Sequence, residues 1–153
     1  MADLTVTLTE SLTLNNYNIN GTNTKVISGI NEADKRTVTV TTAEVVIATF
    51  SAAVASAGHY IASSVRYIRF TNLDGTNFVT LTFRNQDNDE VALKLDAGQS
   101  FIWNGDNANG MTAVMNATQD ADAASSANFG SLTNIQADAD TASCKLEVLV
   151  ATV

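Results

Sequence analysis

At 153 residues and 16.1 kDa the chain has the size of one domain, long enough to bury about two thirds of the surface its unfolded form exposes. Eight basic residues against sixteen acidic ones give a net charge of -8, which argues against nucleic acid and anionic membrane as partners. A single cysteine, Cys144, excludes an intramolecular disulfide. No run approaches the length of a membrane span, and the opening MADLTVTLTE lacks the basic region and apolar core of a signal peptide, so synthesis in a cytoplasm is expected.

There is no proline, while threonine is abundant and alternates repeatedly with valine and leucine. β-Branched residues suit a pleated, half-buried surface better than a helix. In DLTVTLTESLTLN, Leu4, Val6 and Leu8 share one face and Thr5, Thr7 and Thr9 the other, so residues 1–14 read as a peripheral strand or arm. Asn15, Asn16, Asn18, Asn20 and Gly21 mark a turn or loop, TKVISGI a short strand ended by Gly29, and ADKRTVTVTT a strand with Val38 and Val40 inward. The next piece predicts a strand from Glu44 to Thr49, followed by helix or loop from Ser51 to Gly58.

The stretch from Ser64 to Asn104 has the strongest pattern. SVRYIRFTN, NFVTLTFRN, EVALKLD and QSFIWN read as four strands separated by LDGT, QDND and AG, which carry turn residues. Val79, Leu81, Phe83, Val91, Leu93 and Leu95 fall on one parity and are expected in one core. The alternation slips between Tyr67 and Ile68. That slip predicts either a β-bulge or a strand buried on both faces by an assembly contact. Residues 105–140 are small, polar and weakly periodic and read as a long polar loop region. TASCKLEVLVATV closes the chain as a strand with Cys144, Leu146, Val148 and Val150 inward and Lys145 and Glu147 outward.

Together these elements predict a single all-β domain over residues 1–153, an antiparallel β-sandwich or jelly roll of about nine or ten short strands with little helix.

The chain offers little chemistry. His59 is the only histidine and has no carboxylate beside it in AGHYIAS, so no catalytic residue is assigned and an enzyme is not expected. Nucleophile, phosphate-loop and zinc signatures are missing from the sequence. Carboxylates cluster at Asp87, Asp89 and Glu90, at Asp120 and Asp122, and at Asp138 and Asp140, without the spacing of a calcium loop, so neither a metal nor a cofactor is expected. Four of the eight cations, Arg66, Arg69, Arg84 and Lys94, fall in the central block. They predict either a docking face for an acidic partner or cross-strand pairs with carboxylates such as Asp87 or Asp96. Tyr60, Tyr67 and Trp103, with Phe101, form either a sugar-stacking platform or part of the core.

The segment YIRFTNLDGTNFVTLTFRNQDNDEVALKLDAGQSFIWNGDN resembles small structural proteins of tailed bacteriophages, particularly those of aquatic hosts. The pieces that carry the likeness are Thr71 to Asp74, Thr76 to Thr82, and Lys94 to Phe101. The opening LTVTLTESLTLN and the closing ADADTASCKLEVLVATV are similar to them as well. The resemblance implies a virion component, foremost a capsid decoration (cement) protein, with the major capsid protein or other virion proteins as partners and no catalytic residues to carry over. Its alternative is a tail or fibre part with a carbohydrate-binding role in host adhesion, using Tyr60, Tyr67 and Trp103. Strand edges that no proline blunts predict a homo-oligomer in which LTVTLTE and KLEVLVATV add to a neighbour's sheet, and the resemblance favours a trimer.

Overall fold

The computed structural model describes residues 1–104 and 132–153. The chain begins with a long hairpin. β1 (Ala2–Glu10) leads to two short strands, β2 (Thr13–Leu14) and β3 (Tyr17–Asn18), which pair across the tip, and β4 (Gly21–Ile30) returns antiparallel to β1. Asn15 and Asn16 join β2 to β3 with φ of 50° and 66°, the double left-handed geometry of a type I′ turn, which asparagine tolerates at small cost. The Asn20 side chain accepts from the Leu12 N–H at 3.0 Å, and the Ile19 N–H donates to Leu12 C=O at 2.7 Å. The expected Asn-rich loop is therefore a tight tip, and β4 begins at Gly21 rather than at Thr24.

β5 (Glu32–Val40) follows β4 after the single residue Asn31. Then come β6 (Val45–Ser51), β7 (His59–Ile61), β8 (Val65–Asn72), β9 (Val79–Asn85), β10 (Glu90–Leu95), β11 (Ser100–Asn104), β12 (Leu132–Ala139) and β13 (Cys144–Thr152). They form a five-stranded sheet in the order β10-β9-β12-β6-β7 and a four-stranded sheet in the order β11-β8-β13-β5. One cluster of buried side chains joins the two inner faces, from Ile68, Phe70, Leu146, Val148 and Val150 on one sheet to Ile47, Leu81, Phe83, Ile135 and Ala137 on the other. The fold is an all-β sandwich. A single 3₁₀ turn at Ala62–Ser64 is the only helical piece among the described residues.

Several expectations need correction. The four-strand block is not one sheet, because β8 and β11 pair with each other in the four-stranded sheet while β9 and β10 pair in the five-stranded one. TNLDGTN is the corner that carries the chain across. Asn72 is fully buried, donates to Asn77 C=O at 2.9 Å and Leu95 C=O at 3.1 Å, and accepts from the Asp74 N–H. Asp74 accepts from the N–H groups of Thr76 and Asn77, and those bonds hold its carboxyl below the usual range. Val91 and Leu93 have the inward parity of Leu95, but β10 is an edge strand lying beyond the opposing sheet, and they stay 47% and 37% exposed.

The slip at Tyr67 is the predicted β-bulge, joined by burial of both faces, though the second cover is not the assembly contact that was expected. Ala151 pairs with Tyr67 and Thr152 with Val65, so Arg66 is an extra residue in β8. Val65 and Ile68 then face the sandwich core, and Tyr67 faces outward under the chain's own arm rather than under another subunit.

Residues 132–139, placed in the loop region by sequence, form the central strand β12, between β9 and β6. The rest of that region, 105–131, lies outside the described residues. Of the stretch expected as helix or loop, Ser51 ends β6 and residues 52–58 are loop with no helix. One pairing among the described strands, β6 with β7, is parallel. Parallel pairs usually need a long crossover. Here the paired stretch is only three residues, so the seven residues of 52–58 suffice to bring the chain back.

Candidate functional site

The arm is the part of the chain that the sandwich does not account for. Among the described residues only its base is packed: Ile27 and Ile30, with Leu4 and Val6, sit on Tyr67, Leu149, Ala151 and Val153 of the outer face of the four-stranded sheet. Gly29, at φ 82°, shapes this base. Ala2 pairs with Ile30 and Leu4 with Ile27, so β4 carries one extra residue there, a bulge conformation that glycine adopts without strain. Beyond the base the arm is exposed on both faces. Leu8, Leu12, Leu14, Ile19 and Val26 are each about half accessible and Tyr17 is 76% exposed. From Ser11 to Thr24 the arm has no charged residue.

The second feature is a cleft of about 750 Å³ where β5 and β7, each the last strand of its sheet, come together. Its walls are Asn31–Asp34, Gly58–Ile61, Val54, Ser64 and the end of β13. A polar clasp ties the two sheets beneath it. Arg36 on β5 donates to Ile47 C=O on β6 and to Asp34 at 3.1 Å, and the Tyr60 hydroxyl on β7 donates to the same Asp34 oxygen at 2.5 Å. The guanidinium carbon also lies 5.8 Å from the centre of the Tyr60 ring. Burial, and the hydrogen bond to Asp34, push the Tyr60 hydroxyl well above its ordinary pKa. Gly58 closes over the guanidinium with φ 84°, so near that an added Cβ would meet Arg36 Nη2 at 2.8 Å.

The four cations proposed for docking are not brought into one patch. Arg66 and Arg69 belong to the four-stranded sheet, Arg84 and Lys94 to the five-stranded one. Each has a partner within the chain. Arg66 donates to Ser63 C=O, and Arg69 pairs with Glu147, which also binds Lys35 at 3.1 Å. Hydrogen bonding from Lys35 is the main cause that keeps the Glu147 carboxyl below its usual range, with Arg69 adding to it. Arg84 pairs with Glu90, its cross-strand neighbour, and Lys94 with Asp96 at 2.8 Å while lying over the Phe78 ring. The Gln136 amide links Arg84 onward to Glu44.

The three aromatics of the sugar-stacking alternative do not form a platform. Tyr60 and Tyr67 are buried in different clusters, and Trp103 packs edge-on to Phe83 at 5.5 Å and to Phe101 at 6.2 Å. Burial also raises the Tyr67 hydroxyl. Tyr60 and Tyr67 are core residues, and Trp103 is partly buried against the core. His59 lies half-buried on the cleft wall. Cys144 is buried in the core on the inward parity expected of it, and burial raises its thiol. Asp89 is used within the β9–β10 turn, where the Asn85 amide donates to it at 3.0 Å. Asp120 and Asp122 lie outside the described residues. Among the described residues no three His, Cys, Asp or Glu side chains gather as a metal site would require.

Sequence reasoning missed the clasp. Asp34, Arg36 and Tyr60 are spread over three strands and have no local motif; an arginine and an aspartate two apart in a strand were the available sign.

Comparison with family models gives no match, and comparison with curated proteins gives none. Among solved structures, a chain from the work titled "Bacillus endospore appendages form a novel family of disulfide-linked pili" is similar over 83% of this chain and 93% of its own, with 11% identity and a TM-score of 0.42. A likeness that weak carries nothing about function.

Proposed function

We propose that this protein is a structural building block that works through protein-protein contacts, and that it is a virion component of a tailed bacteriophage, in the role of a capsid decoration protein. The observation that supports a contact role is the arm: exposed leucines, isoleucine and tyrosine on a hairpin held to the body, among the described residues, only at its base. A hairpin that far outside the core gains little from its own fold, since two strands alone are marginal in water. Covering those side chains on a partner removes apolar surface from water and stabilises arm and complex together. The phage setting is supported by the resemblance of residues 67–107 and of both chain ends, and the major capsid protein is the partner it suggests.

On this reading the protein forms a homo-oligomer, a trimer by the resemblance. The terminal segment KLEVLVATV is not available for that purpose. All but its last residue lies within β13, between β8 and β5. Among the described residues the arm strand β1 pairs with β4 alone, which leaves its other edge free. The reading assigns no turnover.

The test is to purify particles assembled with the intact protein, with a variant bearing Leu12→Asp, Leu14→Asp and Tyr17→Asp, and without it, and to compare bound protein and particle integrity by microscopy. The intact protein should decorate the particle and the arm variant should fail to, with its circular dichroism unchanged. Equal attachment of both, or no attachment of either, would refute the reading.

A further inference from the structure

The arm and the cleft have complementary properties, and a single chain cannot bring them together. Asn31 lines the cleft and directly follows β4, ten extended residues paired along their length with β1. At roughly 3.3 Å per residue the tip is about 30 Å from its own cleft. We propose that the arm tip of one copy, the segment from Leu12 to Ile19, docks in the cleft of a second copy beside the free edge of β7. The proposal rests on the building-block reading and names the contact.

Three observations single out a second copy as the occupant. The first is charge. Each copy carries a net charge of -8, so most surfaces of two copies repel, whereas the stretch from Ser11 to Thr24 is uncharged and can approach an acidic body without that cost. The second is the chemistry of the cleft. Val54 at its rim is 60% exposed and Ile61 37%, matching the exposed apolar side chains of the tip. Of its two carboxylates, Asp34 is held by Arg36 and Tyr60, and Glu32 is left to accept hydrogen bonds from the Asn15, Asn16 and Asn18 amides or the Tyr17 hydroxyl of the entering tip. The third is geometry. The cleft is of a size that admits several side chains, and β7, last in its sheet, has no strand on one side among the described residues, so the tip can add to that edge as an extended segment. Donor and acceptor are different surfaces. Each copy can therefore give one arm and receive one, which builds a ring where the rotation closes.

Cross-linking between two variants that each add one exposed cysteine tests the contact. Cys144 is buried and stays out of the reaction, so Tyr17→Cys protein can be mixed with Val54→Cys protein and oxidised with copper phenanthroline. The expected result is a covalent dimer, at least tenfold more abundant than for Tyr17→Cys mixed with Leu93→Cys, whose cysteine sits on the exposed edge strand β10. Tyr17→Asp in the wild-type background should weaken association at least tenfold in sedimentation while leaving the circular dichroism unchanged. Association without the 17–54 link, or with a preferred 17–93 link, overturns the docking site and leaves the building-block reading standing. A protein that stays monomeric at tens of micromolar and forms neither link overturns the proposal outright.

Discussion

Replacing Gly58 with alanine isolates the clasp between the two sheets. The new methyl group faces two penalties. Gly58 has φ 84°, and a left-handed residue with a side chain costs about 1–2 kcal/mol. The Cβ would also stand 2.8 and 2.9 Å from the two terminal nitrogens of Arg36, so the guanidinium must leave. Its displacement breaks the charged hydrogen bond to Ile47 C=O, worth about 1.5–3 kcal/mol, and the half-exposed pair with Asp34, worth at most about 1 kcal/mol. Gly58→Ala should therefore cost about 3–5 kcal/mol. Gly98→Ala is the control, because Gly98 has φ 73° and no atom within 4 Å of the added Cβ, so only the backbone penalty applies. Urea titration followed by circular dichroism gives both values, provided the slopes agree. In an Arg36→Ala background Gly58→Ala should fall to the cost of the control, giving a non-additivity of about 2 kcal/mol. Equal costs for the two glycine variants in the wild-type background, or strict additivity with Arg36→Ala, would refute the account of the clasp.

Leu81→Ala, at a fully buried inner position, should cost about 2–5 kcal/mol in the same titration, whereas Leu93→Ala should cost less than about half of that because Leu93 is already partly in water. The raised Tyr60 hydroxyl ties stability to alkaline pH: the folded state holds its proton more tightly than the unfolded chain, so this contribution is complete below the ordinary tyrosine value of 10.0 and is lost as pH rises through the folded value. Melting curves from pH 8 to 12 should show a decline for the wild type that Tyr60→Phe reduces. At the acid end Glu147, held below its ordinary 4.5, contributes stability above that value that disappears on further acidification, and Glu147→Gln should flatten melting curves taken from pH 6 to 2. Arg84→Glu sets a carboxylate against Glu90 and removes one of the two partners of Gln136; together with Lys94→Glu it should lower stability by about 1 kcal/mol and weaken attachment to the particle most at low salt.

What the sequence determined by itself is local. Period-two alternation marks β8 to β11 and places Val79, Leu81 and Phe83 on a buried face; the run from Asn15 to Gly21 marks a turn or loop; and the parity of the last strand puts Cys144 inside. Each of these follows from constraints between residues a few positions apart. Which strand lies beside which was decided only in three dimensions. The sequence from Val65 to Asn104 reads as consecutive hairpins, yet the buried Asn72 corner sends β9 to the other sheet, and Val91 and Leu93 lose the cover that their parity predicts. β12 escaped notice because its inward residues include Ala137 and Ala139, whose small side chains give the alternation little amplitude, although a site between two strands buries them completely. Tyr67 is buried by an arm some forty residues earlier in the chain, and the clasp joins Asp34 to Tyr60 across two sheets. Alternation states that a face is covered. The covering surface comes from distant sequence, where apolar area and backbone hydrogen bonds are satisfied by whichever segment the whole chain can bring there.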